Sequence, residues 1–156
     1  MRNEHVSKAV LFSLLLASSV FAQLQTAQTE AQKESQKMKI LVHLTQGPEN
    51  PTRAALAFLV ARTALEEGHT VTLFLAGDAV QLLRDAMLDT VVGVGTGKLR
   101  EHYDAIAKAG GKFYLSGQSS KARGLTEADL KGKPAELATP NVLLRLALEH
   151  DRMFTY

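Results

Sequence analysis

The chain has 156 residues, 46% hydrophobic and 22% charged, with neither cysteine nor tryptophan. The proportions are those of an ordinary soluble domain, and the missing cysteines exclude disulfides, thiolate nucleophiles and zinc–sulfur sites. Residues 38–156 carry 14 Lys+Arg against 13 Asp+Glu, so no basic face is offered to nucleic acid and the few aromatics make no base-stacking platform.

Residues 1–22 read as a secretory signal peptide. Arg2 and Lys8 give a positive start, Ala9 to Ala17 an apolar core, and Val20 and Ala22 the two small-residue positions before a cut. The apolar run from Ala9 to Ala22 falls short of the roughly 20 residues of a span and is interrupted by serines. Cleavage is therefore expected after Ala22, with a periplasmic or secreted product and no membrane span left. No cysteine follows to anchor a lipid. Residues 23–37 hold five glutamines and no aromatic, a polar linker with too little apolar surface to order itself. The remaining 38–156 form one domain.

Met38 to Leu44 is a nearly continuous apolar run, the mark of a strand covered on both faces. Gly47, Pro48 and Pro51 break regular structure, with Asn50 placed as N-cap of a helix over 52–67 that Gly68 ends. A second strand is expected over 70–75. Asp78 with Gln81 then reads as a capping box for a helix bearing Val80, Leu83, Met87 and Leu88. A third strand is expected over 90–94 and a third helix over 98–109, closed by Gly110 and Gly111.

Phe113 to Leu115 reads as a buried strand, followed by a turn at Ser116 and Gly117. A helical turn opened by Ser119 or Ser120 comes next, and Gly124 closes it. Thr126 to Asp129 starts another helix. Thr139 with Pro140 starts the last long one, to about His150, and 152–156 is a fifth strand. Alternating strands and helices give an α/β fold: three layers, α/β/α, around a mostly parallel sheet of about five strands.

Ligands of such sheets sit outside the carboxyl ends of the strands. That places Ser116, Gly117, Ser119, Ser120 and Arg123 at a rim suited to a small anion, through hydroxyls, N–H groups and a fixed charge. His43, near the end of the first strand, is a candidate to reach the same rim as base or donor. Arg123 has a competing structural use, as partner of Glu127 or Asp129. Gly93 to Lys98 fails the phosphate-loop pattern, since Val92 stands where its first glycine belongs and Leu99 follows the lysine. Its turn could still line the rim. His69, His102 and His150 read as solvated, and no histidine spacing suits a metal. No cofactor is expected.

Thr45-Gln-Gly-Pro-Glu-Asn-Pro51 within Lys39–Ala54, the stretch Glu67–Asp78 and the stretch Phe113–Gly124 together resemble the DsrE/DsrF-like sulfur-relay family over nearly everything after residue 37. The resemblance implies an oligomer: trimers, hexamers or mixed rings. The last helix, with Val142, Leu143, Leu144, Leu146 and Leu148, has more apolar surface than one sheet face needs. Relay members carry sulfur as a persulfide on a cysteine in the strand-end turn, where this chain has Ser116. No catalytic residue is therefore assigned. The expectation is an exported, non-catalytic member that binds a small anionic or sulfur-containing ligand, or a protein partner, at the rim. The alternative is an enzyme with a repurposed Ser116, His43 or Arg123 acting on a small substrate.

Overall fold

Five parallel strands set the frame, in the spatial order β6-β5-β2-β1-β7. The computed structural model describes residues 37–156 together with Gln25. The expected signal peptide lies outside the described residues, as does the tract 23–37 apart from Gln25 and Lys37. The chain divides between Lys37 and Met38, and the architecture below is that of the second unit.

β1 (Lys39–Leu44) lies at the centre-right of the sheet, and its Leu41, Val42 and Leu44 have no exposed surface. Asn50 then accepts a hydrogen bond from the Arg53 N–H at 3.2 Å, and Pro51 opens α1 (Pro51–Glu66). The alanines Ala54, Ala57, Ala61 and Ala64 let this helix lie close to the sheet, with Phe58 as its large anchor. Gly68, at φ +92°, turns the chain back into β2 (Thr70–Leu75), which pairs with β1 from Lys39↔Thr70 to Leu44↔Leu75.

The next two expectations fail. No single helix is capped by Asp78. Gly77–Leu83 is a 3₁₀ helix whose preceding residue, Ala76, supplies no side-chain cap, and α2 (Asp85–Thr90) starts afresh after an extended Arg84. Asp78 is drawn off by a tertiary partner described below. The third strand does not join the sheet either. β3 (Val92–Gly93) and β4 (Gly97–Lys98) pair with each other as a small antiparallel hairpin. This hairpin is fastened to the start of α1 through Val94 N–H to Thr52 Oγ1 at 3.1 Å. It leads into α3 (Leu99–Lys108), which buries Leu99, His102, Tyr103 and Ile106.

β5 (Lys112–Ser116) follows, then α4 (Gly117–Ala122) and a 3₁₀ turn (Glu127–Leu130) held by a Thr126–Asp129 capping box. The strand that completes the five is β6 (Ala135–Ala138), paired with β5. Its sequence, Ala135-Glu-Leu-Ala138, has no β-branched or aromatic residue, so local composition gives no strand signal. α5 (Pro140–Glu149) crosses the other face, and β7 (Arg152–Thr155) closes the sheet beside β1.

The result is an α/β fold with helices on both sheet faces. The larger core lies under α1 and α3, where Phe113 stacks at 5.8 Å from Phe58 and 5.3 Å from Tyr103. The smaller one, Leu41, Phe74, Ala138 and Leu146, lies under α5. No helix among the described residues is long and apolar enough to cross a membrane.

Candidate functional site

The carboxyl edge of the sheet brings three loops together: those after β1, β2 and β5. Gly47, in the first, passes so close to the second that a Cβ there would lie 2.6 Å from the Asp78 carbonyl oxygen. Gly77, in the second, has φ +55° and lies against Thr45. Both glycines are therefore needed for the loops to nest.

Ser116 ends β5 and is the N-cap of α4, its Oγ accepting a long hydrogen bond of 3.4 Å from the Ser119 N–H. Ser119 turns its own hydroxyl to the β2 loop, where Oγ accepts the Gly77 N–H at 3.0 Å. Ser120 is fully buried, and its hydroxyl has no hydrogen-bond partner among the described residues. Arg123 donates from Nε to Asp78 Oδ1 at 2.8 Å and from Nη1 to the Ser119 carbonyl at 3.4 Å. Its own carbonyl accepts from Arg84 Nη2 at 2.8 Å.

The stretch Ser116–Arg123 is thus fastened to the start of the 3₁₀ helix at Gly77 and Asp78, with Ser120 buried beneath it and not exposed at the rim. The partner of Arg123 is neither Glu127 nor Asp129. Asp129 caps Thr126, its Oδ2 accepting the Thr126 N–H at 2.8 Å, and its other oxygen lies 3.9 Å from Arg84. A methyl group added at Gly117 would sit an ordinary 3.6 Å from the Ala138 carbonyl, so sterics do not require glycine there.

His43 is elsewhere. It is registered with Phe74, and Phe74 with Tyr114, so it shares a sheet face with Ser116 but stands two strands away. At the usual strand spacing that is roughly 10 Å. Its ring meets Phe74 edge-on, with centroids 6.0 Å apart, and Nε2 is buried without a partner. Burial disfavours the charged ring and lowers its pKa from the ordinary value.

The other histidines are less solvated than the sequence implied. His102 is buried, its Nε2 2.7 Å from the Thr96 carbonyl, which pins the hairpin onto α3. His150 bridges the Leu146 carbonyl and Thr72 Oγ1 at 2.6 and 3.1 Å. His69 Nδ1 accepts the Met38 N–H at 3.2 Å. The Gly93–Lys98 turn hydrogen-bonds to Thr52 and His102, and among the described residues it makes no hydrogen bond to the β5 junction. No group of His, Asp and Glu among the described residues is arranged to hold a metal ion. A shallow cleft lined by Lys112, Tyr114, Pro134 and Glu136 lies at the opposite, amino-terminal ends of β5 and β6.

Sequence reasoning missed Asp78, Gly77 and Arg84. A signal for the first two was present. Both follow a strand end, and adjacent parallel strands bring their carboxyl ends to one rim.

Chemically, the junction offers a serine hydroxyl, backbone N–H groups and a partly neutralised guanidinium. No imidazole or carboxylate hydrogen-bonds to Ser116 among the described residues, and an unassisted serine hydroxyl is a weak nucleophile.

The DsrE/DsrF-like family profile matches residues 38–156. The uncharacterised protein MJ0989 of Methanocaldococcus jannaschii is 32% identical over 119 residues, spanning 76% of this chain and all of that one. Among solved structures, the ychN protein from E. coli superposes with a TM-score of 0.61 at 17% identity, over 76% of this chain and 99% of its own. A conserved protein, BT1422, from Bacteroides thetaiotaomicron superposes with a TM-score of 0.57 at 10% identity, over 76% and 94%. At these identities the two structures bear on the fold.

Proposed function

The chain belongs to the DsrE/DsrF-like family, and from that premise we propose that it is an exported, non-catalytic binding member that takes a small anionic or sulfur-containing ligand at the Ser116 junction. The observation that carries this reading is the state of Ser116. Its oxygen accepts from the Ser119 N–H, while among the described residues its hydroxyl donates to no acceptor and no base hydrogen-bonds to it. The hydroxyl can therefore donate to a bound oxygen or sulfur but is not activated to attack. Persulfide carriage needs a thiolate, and the chain has no cysteine. Arg123, with its side chain 28% exposed, keeps Nη2 for a ligand, while Asp78 offsets part of its charge.

The test is a melting-temperature series in sulfate, phosphate and thiosulfate against chloride at matched ionic strength. Binding to the folded state raises Tm by mass action. The parent should gain a specific rise, Arg123→Ala should lose it, and Asp78→Asn should enlarge it by removing the competing charge. No specific response in the parent or in Asp78→Asn would leave the junction a structural fastening only. Turnover of a screened substrate that disappears in Ser116→Ala would favour the enzyme alternative.

A further inference from the structure

The cleft at the amino-terminal ends of β5 and β6 lies at the other end of the sheet from Ser116. Its volume is about 250 Å³, and Lys112, Phe113, Tyr114, Pro134, Ala135 and Glu136 line it. β6 is an outer strand, so the cleft opens to solvent beside it. Lys112 and Tyr114 alternate onto one sheet face, and Glu136 is registered with Tyr114 on the next strand. These three polar side chains therefore share one face. The Tyr114 hydroxyl donates to the Glu136 carboxylate; burial first, then that bond, raise its pKa, so the hydroxyl keeps its proton and holds the carboxylate in place. Lys112 and Glu136 face the same cleft, yet neither forms an ion pair among the described residues. From α5, Arg145 and Glu149 act on the same hydroxyl with opposite sign. The two cations around the cleft are thus balanced by two carboxylates.

We propose that this cleft binds a zwitterion of amino-acid size, with its ammonium on Glu136, its carboxylate on Lys112 and its apolar side chain against Pro134, Ala135 and the Tyr114 ring. Charge selects the class. A simple cation would gain from Glu136 and be opposed by Lys112, and a simple anion the reverse, whereas a zwitterion pairs with both. Volume selects the size, since pockets for drug-sized ligands run to roughly 300–1,000 Å³ and this one is smaller. The apolar part of the lining selects the side chain, because a polar one would lose its water there without a partner. The cleft shares no residue with the Ser116 junction and stands independently of any ligand there.

Calorimetric titration of the full-length chain with L-leucine tests it. Leucine should bind, while its methyl ester, which lacks the carboxylate, and 4-methylpentanoate, which lacks the ammonium, should each bind about tenfold or more weakly. Glu136→Gln and Lys112→Met should each weaken leucine to a similar degree with an unchanged circular dichroism spectrum, since both residues are exposed. Lys112→Met should also erase the preference for leucine over its ester, because the group that reads the carboxylate is gone. Arg123→Ala should leave leucine binding as it is in the parent. A parent that takes up no leucine at millimolar concentration would overturn the proposal. So would an ester and an acid that bind as tightly as leucine, leucine binding that both cleft variants leave intact, or leucine binding lost in Arg123→Ala.

Discussion

Ser116 and Arg123 set what the turn after β5 can do. The turn still has its cap and its glycine, but an oxygen at Ser116 bonds to the Ser119 N–H instead of carrying sulfur. Purified protein incubated with a persulfide donor should gain no sulfur by mass; a reductant-released gain would contradict this. Ser116→Cys should restore a reactive group. A thiol there sits by the Ser119 N–H at the start of α4, which lowers a thiol pKa from about 8.5. It should react with iodoacetamide faster than free cysteine at neutral pH, and equal rates would refute an electropositive turn. His43 makes a separate prediction about acid. Its folded pKa lies below the ordinary 6.5 because burial opposes the charged ring. As pH falls below 6.5, the unfolded chain takes up the proton first, so this histidine's stability is complete above 6.5 and is lost toward the lower folded value. His43→Leu should therefore gain on the parent in Tm between pH 8 and pH 5. A constant difference would mean that burial does not hold the ring neutral.

At the level of elements, the segments between strands are fastened by polar side chains more than by helix length. The Glu127–Leu130 turn depends on Asp129, whose carboxylate accepts from both the backbone N–H and the hydroxyl of Thr126, at 2.8 and 3.1 Å. The bond from the Thr126 N–H holds the Asp129 carboxyl below its ordinary pKa. Asp129→Ala should cost about 1 kcal/mol, the typical value of a lost cap, measured as a lower urea midpoint at unchanged slope. The same deficit should fade as the parent is acidified, because the folded carboxylate's advantage is present above the ordinary pKa and vanishes below the folded one. A deficit that persists undiminished in acid would place the effect in packing. Arg100 works similarly between α2 and α3. Its Nε donates to Asp89 at 2.7 Å and its Nη2 to Asp85 at 3.2 Å, which ties the two elements together.

Across residues 38–156 the layers are joined where the rings of Phe58, Tyr103 and Phe113 meet. Phe113 is 1% exposed and joins α1 to α3 across β5. Phe113→Ala should cost about 3–5 kcal/mol, enough to unfold much of a small domain whose whole margin is about 5–15 kcal/mol. Calorimetry reads the loss directly, and a change below about 1 kcal/mol would mean that this contact is not where the layers are joined. The proposed export is tested on the whole chain as well. Protein recovered from its host's envelope should begin at Gln23, while cytoplasmic protein retaining Met1 would refute the signal-peptide reading.

The sequence by itself determined the strands and helices whose apolar pattern is strong. β1, β2, β5, α1, α3 and α5 all lie within a residue or two of their expected bounds, because continuous burial and helical spacing are written locally. Their alternation determined the parallel α/β class, and the absence of cysteine determined that no persulfide forms. Tertiary structure decided the rest. β6 is a strand because β5 offers it an edge to pair with, since its own residues do not favour one. Val92 to Lys98 is a hairpin because Thr52 and His102 hold its turn outside the sheet. Asp78 leaves its expected helix cap because Arg123, 45 residues away, offers it a charged donor at 2.8 Å. A charge-assisted hydrogen bond is stronger than a neutral capping bond, and neither its partner nor its distance is written in the residues around Asp78.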